Sequence, residues 1–225
     1  MNDSPSEMQL DSRNSKCPSC GAAIAKKPQR KVKCQSCGNY IFVRTDPITK
    51  QKILLNEEGV RLNQIEWEKI VARHDWFHQL NLPGLNDELF DSTKSHLSQQ
   101  SVRPVDDLDV INSFIHHYET QNISLHELKM IYLATAHFLN KLGHNAFEMQ
   151  QKAARMELLS YKGQEIRKVE VLTSSDCCSA CNKWSGRIFA IDEALKLMPI
   201  PCNNCSNIVY EGKAPFCRCC YVAVL

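Results

Sequence analysis

The sequence predicts an α+β protein with a mainly helical middle region and small β-rich modules at both ends. Three observations lead to this class. Cysteines occur only near the two ends, within residues 17–37 and 177–220. Apolar residues at helical spacing, together with helix-capping residues, fill the region between them. Short runs rich in β-branched and aromatic residues accompany both cysteine groups, as is typical of strands.

Composition and charge narrow the class of protein. The 225 residues are 43% hydrophobic and 23% charged, which is typical of a globular chain and excludes global disorder. No apolar stretch approaches the roughly 18 residues of a membrane helix, and the polar start lacks a signal-peptide pattern. We therefore expect a soluble protein in a reducing compartment, without membrane association. There, cysteines at metal-ligand spacing bind zinc rather than form disulfides.

The net charge of +2 hides an uneven distribution. Residues 16–52 carry nine basic side chains and one acidic side chain, whereas residues 53–162 carry ten basic and fifteen acidic ones. Charge and cysteine content together divide the chain into four segments. These are a disordered tail at 1–15, a four-cysteine zinc ribbon at 16–56, a helical region at 57–163 and a cysteine-rich zinc-binding domain at 164–225.

Two cysteine pairs define the ribbon. Two residues separate Cys17 from Cys20 and Cys34 from Cys37, and thirteen residues lie between the pairs. Glycine follows the second cysteine of each pair, where a positive φ can close a tight turn. Four thiolates form a closed tetrahedral zinc site of the structural type. A module of roughly 35 residues buries too little apolar surface to fold alone, so we expect zinc to supply its folding free energy.

The ribbon is also basic and carries aromatic residues. Tyr40 and Phe42 alternate with Ile41 and Val43, and two short strands are predicted between and after the cysteine pairs. Basic side chains can neutralise phosphates and aromatic rings can stack on bases. The candidate nucleic-acid-binding residues are Lys26, Lys27, Arg30, Lys31, Lys33, Tyr40, Phe42 and Arg44. DNA or RNA is one candidate partner; an acidic protein surface, or a purely structural use, is the alternative.

The first half of the middle region is predicted to hold three helices. An amphipathic helix through Ile65 and Trp76 ends before Pro83. A short helix covers residues 87–97, and a polar loop follows it. Pro104 then begins a third helix, because proline is favoured in the first helical turn.

Capping signals predict the second half of this region. Ser124 and Glu127 form a capping box that starts a fourth helix, and Gly143 is placed to end it. Asn145 repeats the capping pattern for a fifth helix, which Gly163 closes. The two helices are predicted to form a helical hairpin, and a short strand near residues 166–171 leads into the last segment.

The last segment contains eight cysteines. They are Cys177, Cys178, Cys181, Cys202, Cys205, Cys217, Cys219 and Cys220. Four thiolates saturate one tetrahedral zinc, so the alternatives are two four-cysteine sites, one site with free thiols, or one site with an additional thiol pair. Grouping Cys178 and Cys181 with Cys202 and Cys205 would repeat the ribbon spacing. The sequence thus predicts one zinc site in the ribbon and one or two in this domain.

A series of motifs in this segment resembles a known family. Asp176–Cys181 is followed by a turn at Trp184–Gly186, a short strand at Arg187–Phe189 and a terminal Pro215–Cys219 run that reads PFCRC. This order resembles the phage Mu protein F family of head morphogenesis, or minor head, proteins over residues 166–224. The family usually has a histidine before its Pro-x-Cys-Arg-Cys run, where this chain has Ala214.

The resemblance implies a zinc site, a function and a location. The implied nucleus of the site consists of Cys177 or Cys178, Cys181, Cys217 and Cys219, and the implied extension consists of Cys202, Cys205 and Cys220. The implied function is that of a phage or prophage minor head protein that bridges a portal or capsid assembly and packaged DNA. Such a protein is expected in the cytoplasm of a bacterial host or in the virion interior, and the N-terminal ribbon resembles an accessory module ahead of such domains.

The sequence favours structural zinc over catalytic zinc. Catalytic sites keep an open position and usually recruit histidine or carboxylate ligands, and no histidine occurs in either cysteine group. His74 and His78 lack the glutamate of a metallopeptidase helix, and Pro201–Cys205 lacks the upstream H-x-E of a deaminase. We therefore predict a non-enzymatic zinc-binding structural or interaction protein. A zinc-ribbon regulatory protein that binds nucleic acid is the alternative, and a thiol or zinc enzyme is the third.

Overall fold

A computed structural model of the protein describes residues 16–82 and 84–224. Within these residues the elements are β1 (Val32–Lys33), β2 (Tyr40–Thr45), β3 (Lys52–Leu55), α1 (Glu57–Leu80), α2 (Asp87–Gln100), α3 (Asp107–Glu119), α4 (Leu125–Lys141), α5 (Phe147–Gly163), β4 (Lys168–Leu172), α6 (Ser179–Asn182), β5 (Ile188–Ala190), α7 (Ile191–Leu197) and β6 (Cys220–Val224). This arrangement confirms the predicted α+β class. The tail predicted at 1–15 lies outside the described residues.

The chain divides into two compact units, one ending at Val71 and the other beginning at Ala72. In the first unit, β1, β2 and β3 form an antiparallel sheet in that order. It has three strands rather than the predicted two, because Asp46 Oδ1 accepts hydrogen bonds from the amides of Ile48 and Thr49 and turns the chain back into β3. The small core contains Cys17, Cys34 and Ile41, with Ile24, Val32 and Leu54 packed against it.

Helix α1 begins at Glu57, the first residue of the predicted helical region. Asn56 Oδ1 accepts a hydrogen bond from the amide of Gly59 at 2.7 Å, which caps the first turn. The helix ends at Leu80, before Pro83, as predicted. Helix α2 extends three residues beyond the predicted end, and the Ser98 hydroxyl donates to the Lys94 carbonyl within it at 2.8 Å.

Helix α3 starts at Asp107, so the prediction that Pro104 begins it was wrong. Asp106 caps the helix and forms a capping box with Asp109, and this side-chain cap sets the start. The capping box of Ser124 and Glu127 at the start of α4 is confirmed.

The two ends of the helical hairpin differ in how well they were predicted. Gly143 has a φ of +84° and follows α4, as expected for a left-handed C′ residue. Asn145 is not the N-cap of α5: Ala146 takes that position, and Asn145 Oδ1 accepts from the Phe147 amide at 2.9 Å. Gly163 is the last residue of α5, and the left-handed φ of +61° falls on Glu165 instead.

The helical layer of the second unit packs around aromatic side chains. Trp76, only 1% exposed, contacts Phe77, Phe114 and Phe138 with ring centroids 5.6–6.3 Å apart. Its indole Nε1 donates to Thr135 Oγ1 at 3.2 Å, so the one polar atom of the ring is satisfied inside the core. Helices α4 and α5 pack against each other as the predicted hairpin.

A second antiparallel sheet, in the order β5, β4, β6, lies in the C-terminal segment of the second unit. Val169 and Val171 of β4 are fully buried and pair with Ala223 and Tyr221 of β6. Leu158 of α5 belongs to the same core cluster, so the sheet shares its apolar core with the helical hairpin. Among the helices that the structure describes, none combines the length and apolarity that a membrane crossing needs.

Candidate metal centres

The four ribbon cysteines meet in one group, as the sequence predicts. The sulfur atoms of Cys17, Cys20, Cys34 and Cys37 all lie within 4.8 Å of one another. Cys17 and Cys37 are 3.9 Å apart, and Cys20 and Cys34 are 3.8 Å apart. Four sulfurs around a tetrahedral ion with bonds of about 2.3 Å are separated by about 3.8 Å. The group therefore has the dimensions of a tetrahedral metal site.

The two cysteine pairs adopt the same backbone turn. The amide of Gly21 donates to the Cys17 carbonyl and the amide of Gly38 donates to the Cys34 carbonyl, both at 2.9 Å. Each glycine has a φ of +74°, a left-handed conformation that favours glycine. The turns aim backbone amides at the sulfurs, so each pair is shaped to present thiolates.

These amides shift the pKa values of the thiols. The amide of Cys37, with that of Ser36, lowers the pKa of Cys34 to about 6. Burial raises the pKa of Cys17, but the amides of Ser19 and Cys20 outweigh it and lower the value. For Cys20, the Ala22 amide has a lowering effect that neighbouring thiols and burial overcome, raising the pKa to about 12. With a pKa of about 6, Cys34 is thus already disposed to be a thiolate near neutral pH.

The C-terminal cysteines form two overlapping groups. Cys178, Cys181 and Cys205 lie within 4.8 Å of one another, and so do Cys181, Cys217 and Cys219. Cys178 and Cys205 are 3.7 Å apart, and Cys181 and Cys217 are 3.6 Å apart. Both groupings that the sequence left open are therefore partly present, joined through Cys181.

The remaining three predicted ligands take different positions. Cys202 is 7% exposed, and its thiol donates to the carbonyls of Pro199 at 3.1 Å and Ala180 at 3.5 Å. Cys177 and Cys220 lie outside both groups. The Cys177 sulfur is 3.8 Å from Asn182 Oδ1. Cys220 starts a strand directly after Cys219, and successive strand residues point to opposite faces.

Burial and amide groups act differently on individual C-terminal thiols. Burial raises the pKa of Cys178, but the amides of Ser206 and Cys181 outweigh it and lower the pKa to about 6. Burial is the largest cause that raises the pKa of Cys205 to about 11 and of Cys219 to about 12. A metal ion must therefore displace protons from most of these sulfurs. The positive charge of the ion then stabilises the thiolates that form.

Two buried amide side chains hold the loop that carries Cys217. Gln150 Nε2 donates to the Cys217 carbonyl at 2.7 Å, and the Cys217 amide donates to Gln150 Oε1 at 3.3 Å. Asn140 Nδ2 donates to the carbonyl of Ala214 at 2.7 Å. Sequence reasoning missed both residues. Their signal was a polar side chain at a core-facing position of a helix, where an unpaired amide is costly.

The basic residues of the ribbon line two surfaces, and Lys33 belongs to both. On one face of β2, the Lys31 ammonium lies 4.0 Å from the Tyr40 ring centre and 4.7 Å from that of Phe42, with Lys33 and Arg44 also placed over these rings. The other surface is an open concavity of about 880 Å³ whose lining includes Lys26, Lys27, Arg30 and Lys33. Lys27 also donates to the Lys52 carbonyl at 2.9 Å, which gives it a structural contact.

Comparisons of this chain with models of known families, with curated proteins and with solved structures find no match. The resemblance of residues 166–224 to phage head morphogenesis proteins therefore stays a prediction. The cysteine groups at both ends could hold metal ions, and that statement depends only on the geometry of this chain.

Proposed function

We propose that this chain is a non-enzymatic zinc protein whose thiolate sites hold small domains in shapes that contact other macromolecules. The observation that carries the proposal is the ribbon group, whose four sulfurs lie within 4.8 Å of one another, at spacings close to a tetrahedron's edges. Sets made only of thiolates favour zinc among the common cellular divalent ions and typically serve structure.

The ligand sets support a structural role over a catalytic one. Among the described residues, every candidate metal group consists of cysteine alone. A catalytic zinc keeps one position open for water and works beside a general base. A group whose four positions are filled by thiolates offers neither, so its contribution is to folding and rigidity.

Zinc analysis of the purified full chain tests this function. We expect at least two zinc ions per chain by native mass spectrometry, and one ion fewer in a Cys34→Ser variant. The exposed Ser36→Ala change is the matched control and should keep the wild-type count. A chain with fewer than two zinc ions and close to twelve titratable thiols would contradict the proposal.

The partner class follows from the motif order of the C-terminal domain. Because that order resembles minor head proteins, we include a portal or capsid assembly as the proposed protein partner. The test is co-purification of the tagged chain with a portal ring expressed alongside it. Association that persists in 0.5 M salt supports the assignment, and its absence at low salt contradicts it.

Nucleic acid is the second candidate partner, favoured by the basic aromatic face of β2. Tyr40 is 46% exposed, and it lies under two lysine ammonium groups that could pair with phosphates while a base stacks on the ring. The interacting side chains all belong to the ribbon, so the surface does not depend on the second unit.

Fluorescence anisotropy with a labelled single-stranded oligonucleotide tests this second candidate. Replacing Lys31 and Lys33 by alanine should weaken binding and reduce the slope of log affinity against log salt by about 1.4, since each lost phosphate contact removes about 0.7. Alanine at the exposed Lys183 and Lys196 removes the same charge elsewhere and is the control. Equal binding by the two double variants would contradict nucleic-acid binding at this face.

A further inference from the structure

Five C-terminal cysteines form two groups that share one member, and a sixth cysteine lies beside that member. The set, called here the C-terminal thiol set, consists of Cys178, Cys181, Cys202, Cys205, Cys217 and Cys219. Two groups within it meet the distance requirement for shared metal ligands, and Cys181 belongs to both. A thiolate that serves two tetrahedral ions is a bridging ligand, so the position of Cys181 raises the question of a two-metal cluster.

The sulfur spacings on both sides of Cys181 suit tetrahedral coordination. Cys178 and Cys205 are 3.7 Å apart on one side, and Cys181 and Cys217 are 3.6 Å apart on the other. A tetrahedral zinc–thiolate site has sulfur separations of about 3.8 Å. The ribbon site, at 3.8 and 3.9 Å, gives the same spacing within this protein.

A ligand count identifies a second shared thiol. Two tetrahedral ions have eight positions, and six thiolates fill all eight only if two of them bridge. Cys202 is placed for this role, because it is 7% exposed and its sulfur lies 3.5 Å from the carbonyl of Ala180, the residue before Cys181, although it belongs to neither distance group. The Cys202 thiol now donates to two carbonyls, so metal binding requires it to lose that proton and turn toward Cys181.

Burial follows this division of roles for five of the six thiols. The two candidate bridging residues, Cys181 and Cys202, are 1% and 7% exposed. Cys178, Cys205 and Cys219 are half-buried at the edge of the set, whereas Cys217 is 6% exposed and as buried as the bridging candidates. Two zinc ions with six thiolates leave a charge of about −2, whereas two separate four-thiolate sites leave about −4, and buried charge is costly.

The sulfur distances mark Cys181 as the inner member of the set. Its sulfur lies within 4.8 Å of those of Cys178 and Cys205 in one group and of those of Cys217 and Cys219 in the other. A sulfur that belongs to both groups is the one placed to contact both ions.

We infer that the C-terminal thiol set binds two zinc ions as a single cluster in which Cys181 and Cys202 are shared. The terminal ligands are Cys178 and Cys205 for one ion, and Cys217 and Cys219 for the other. Cys177 and Cys220 take no part. The inference rests on the proposed zinc function, and the number of bound ions separates the two.

Native mass spectrometry of the full chain gives the first test. Three zinc ions per chain are expected, one in the ribbon and two in the cluster. A count of two overturns the cluster and leaves the structural zinc function standing. A count below two overturns the zinc function itself.

Single variants separate a shared cluster from two independent sites. Cys181→Ser should reduce the count from three to one, because both ions lose a ligand, whereas independent sites would retain two. Cys177→Ser and Cys220→Ser are matched controls expected to keep three ions. Loss of an ion in either control contradicts the assignment of ligands.

A measurement on the unaltered chain covers the case in which Cys181→Ser fails to fold. Cadmium replaces zinc in thiolate sites because both prefer soft sulfur ligands. In a cadmium-113 NMR spectrum we expect three resonances, two of which are split by scalar coupling through the shared sulfurs. Three uncoupled resonances would overturn the bridge even if three ions bind.

Discussion

The ribbon and the C-terminal domain both gather cysteines, but they use them against different backgrounds. The ribbon core contains Ile41 as its fully buried aliphatic side chain, together with Cys17 and Cys34, so two of its three buried residues are themselves candidate metal ligands. The C-terminal segment places its thiols beside an apolar core that includes Leu158, Val169 and many other buried side chains. On the proposed zinc function, metal replaces a core in the first region and is added to a core in the second.

Because the two regions differ in apolar core, loss of zinc should affect their folding differently. Folding free energy in a ribbon comes mainly from metal binding, which is worth roughly 10–16 kcal/mol in small zinc modules. In the C-terminal domain, apolar burial and the β4–β6 pairing contribute independently of the ion. Metal there is expected to fix the loops that carry Cys202, Cys205 and Cys217 rather than to create the domain.

Removal of zinc should have the largest effect on folding and should separate the ribbon most clearly from the C-terminal segment. With a strong chelator present, we expect amides of Ile41 and Phe42 in β2 to lose all protection from hydrogen exchange. Amides of Val169 and Val171 in β4 should keep theirs, because their burial and pairing do not require the ion. Hydrogen exchange followed by mass spectrometry measures both. Equal loss in the two strands would break the contrast between the regions.

Matched core truncations should give the next largest effect. Leu158→Ala removes a fully buried side chain and should cost about 2–5 kcal/mol of unfolding free energy. Ile41→Ala, at a site only 1% exposed, should instead weaken zinc binding by the ribbon at least 30-fold, since about 2 kcal/mol of folding is coupled to the metal.

Denaturant titration and competition with a zinc indicator measure the two outcomes. Leu62→Ala, at an exposed position of α1, is the control for both and should change neither by a comparable amount. A ribbon whose zinc affinity is unaffected by Ile41→Ala would show that its core and its metal site are energetically separate.

The sequence predicted the ribbon better than the C-terminal thiol set, for a physical reason. The ribbon is local: two pairs with the same spacing and a glycine after each fix the turns, and the pairs need only approach each other. The C-terminal candidate ligands come from three separate segments, and their grouping depends on how α5, β4 and β6 pack. Spacing alone therefore left the pairing open and included Cys177 and Cys220.

Helix limits show the same dependence on local chemistry. The capping box of Ser124 and Glu127 is short-range, and it was predicted correctly. Asp106 forms an equally local box with Asp109, but the proline at position 104 favoured an earlier start for the helix. The role of Gln150 depends on a hydrogen bond to Cys217, 67 residues away. Sequence periodicity predicts which face of the helix Gln150 lies on, but it does not predict this partner.

Gln150 links the helical layer to the C-terminal ligands, and its replacement should give an intermediate effect. Gln150→Met keeps the volume but leaves the amide and carbonyl of Cys217 unpaired in a buried place, which costs about 1–3 kcal/mol. We expect zinc affinity of the C-terminal domain to fall about tenfold, corresponding to 1.4 kcal/mol.

Competition with an indicator, read separately for the two ends, measures this change. The ribbon affinity should stay at its wild-type value, and Gln151→Met, at the next residue of α5, serves as the control. A fall of equal size at both ends would show a general loss of stability rather than a lost support for Cys217.

The smallest effect is expected in the helical layer, which carries none of the cysteines. The Tyr132 hydroxyl donates to Glu119 Oε1 at 2.6 Å, and this bond, with Lys152, lowers the pKa of Glu119 below its ordinary value of 4.5. A carboxyl with a lowered pKa stabilises the folded state at neutral pH and loses that contribution as the pH falls below 4.5. Tyr132→Phe should therefore cost about 1 kcal/mol at pH 7, and the difference from wild type should narrow at pH 3.

Urea titrations at both pH values, with chelator present throughout, keep zinc release out of this comparison. Tyr118→Phe removes a hydroxyl from the same layer, and burial is the cause that raises the pKa of Tyr118, so its effect on unfolding should not change between pH 7 and pH 3. A Tyr132→Phe effect that is equally large at both pH values would mean that packing, and not the ionised Glu119, accounts for it. The acid response of the helical layer would then no longer distinguish it from the two cysteine-containing regions, whose thiols must be deprotonated to hold an ion.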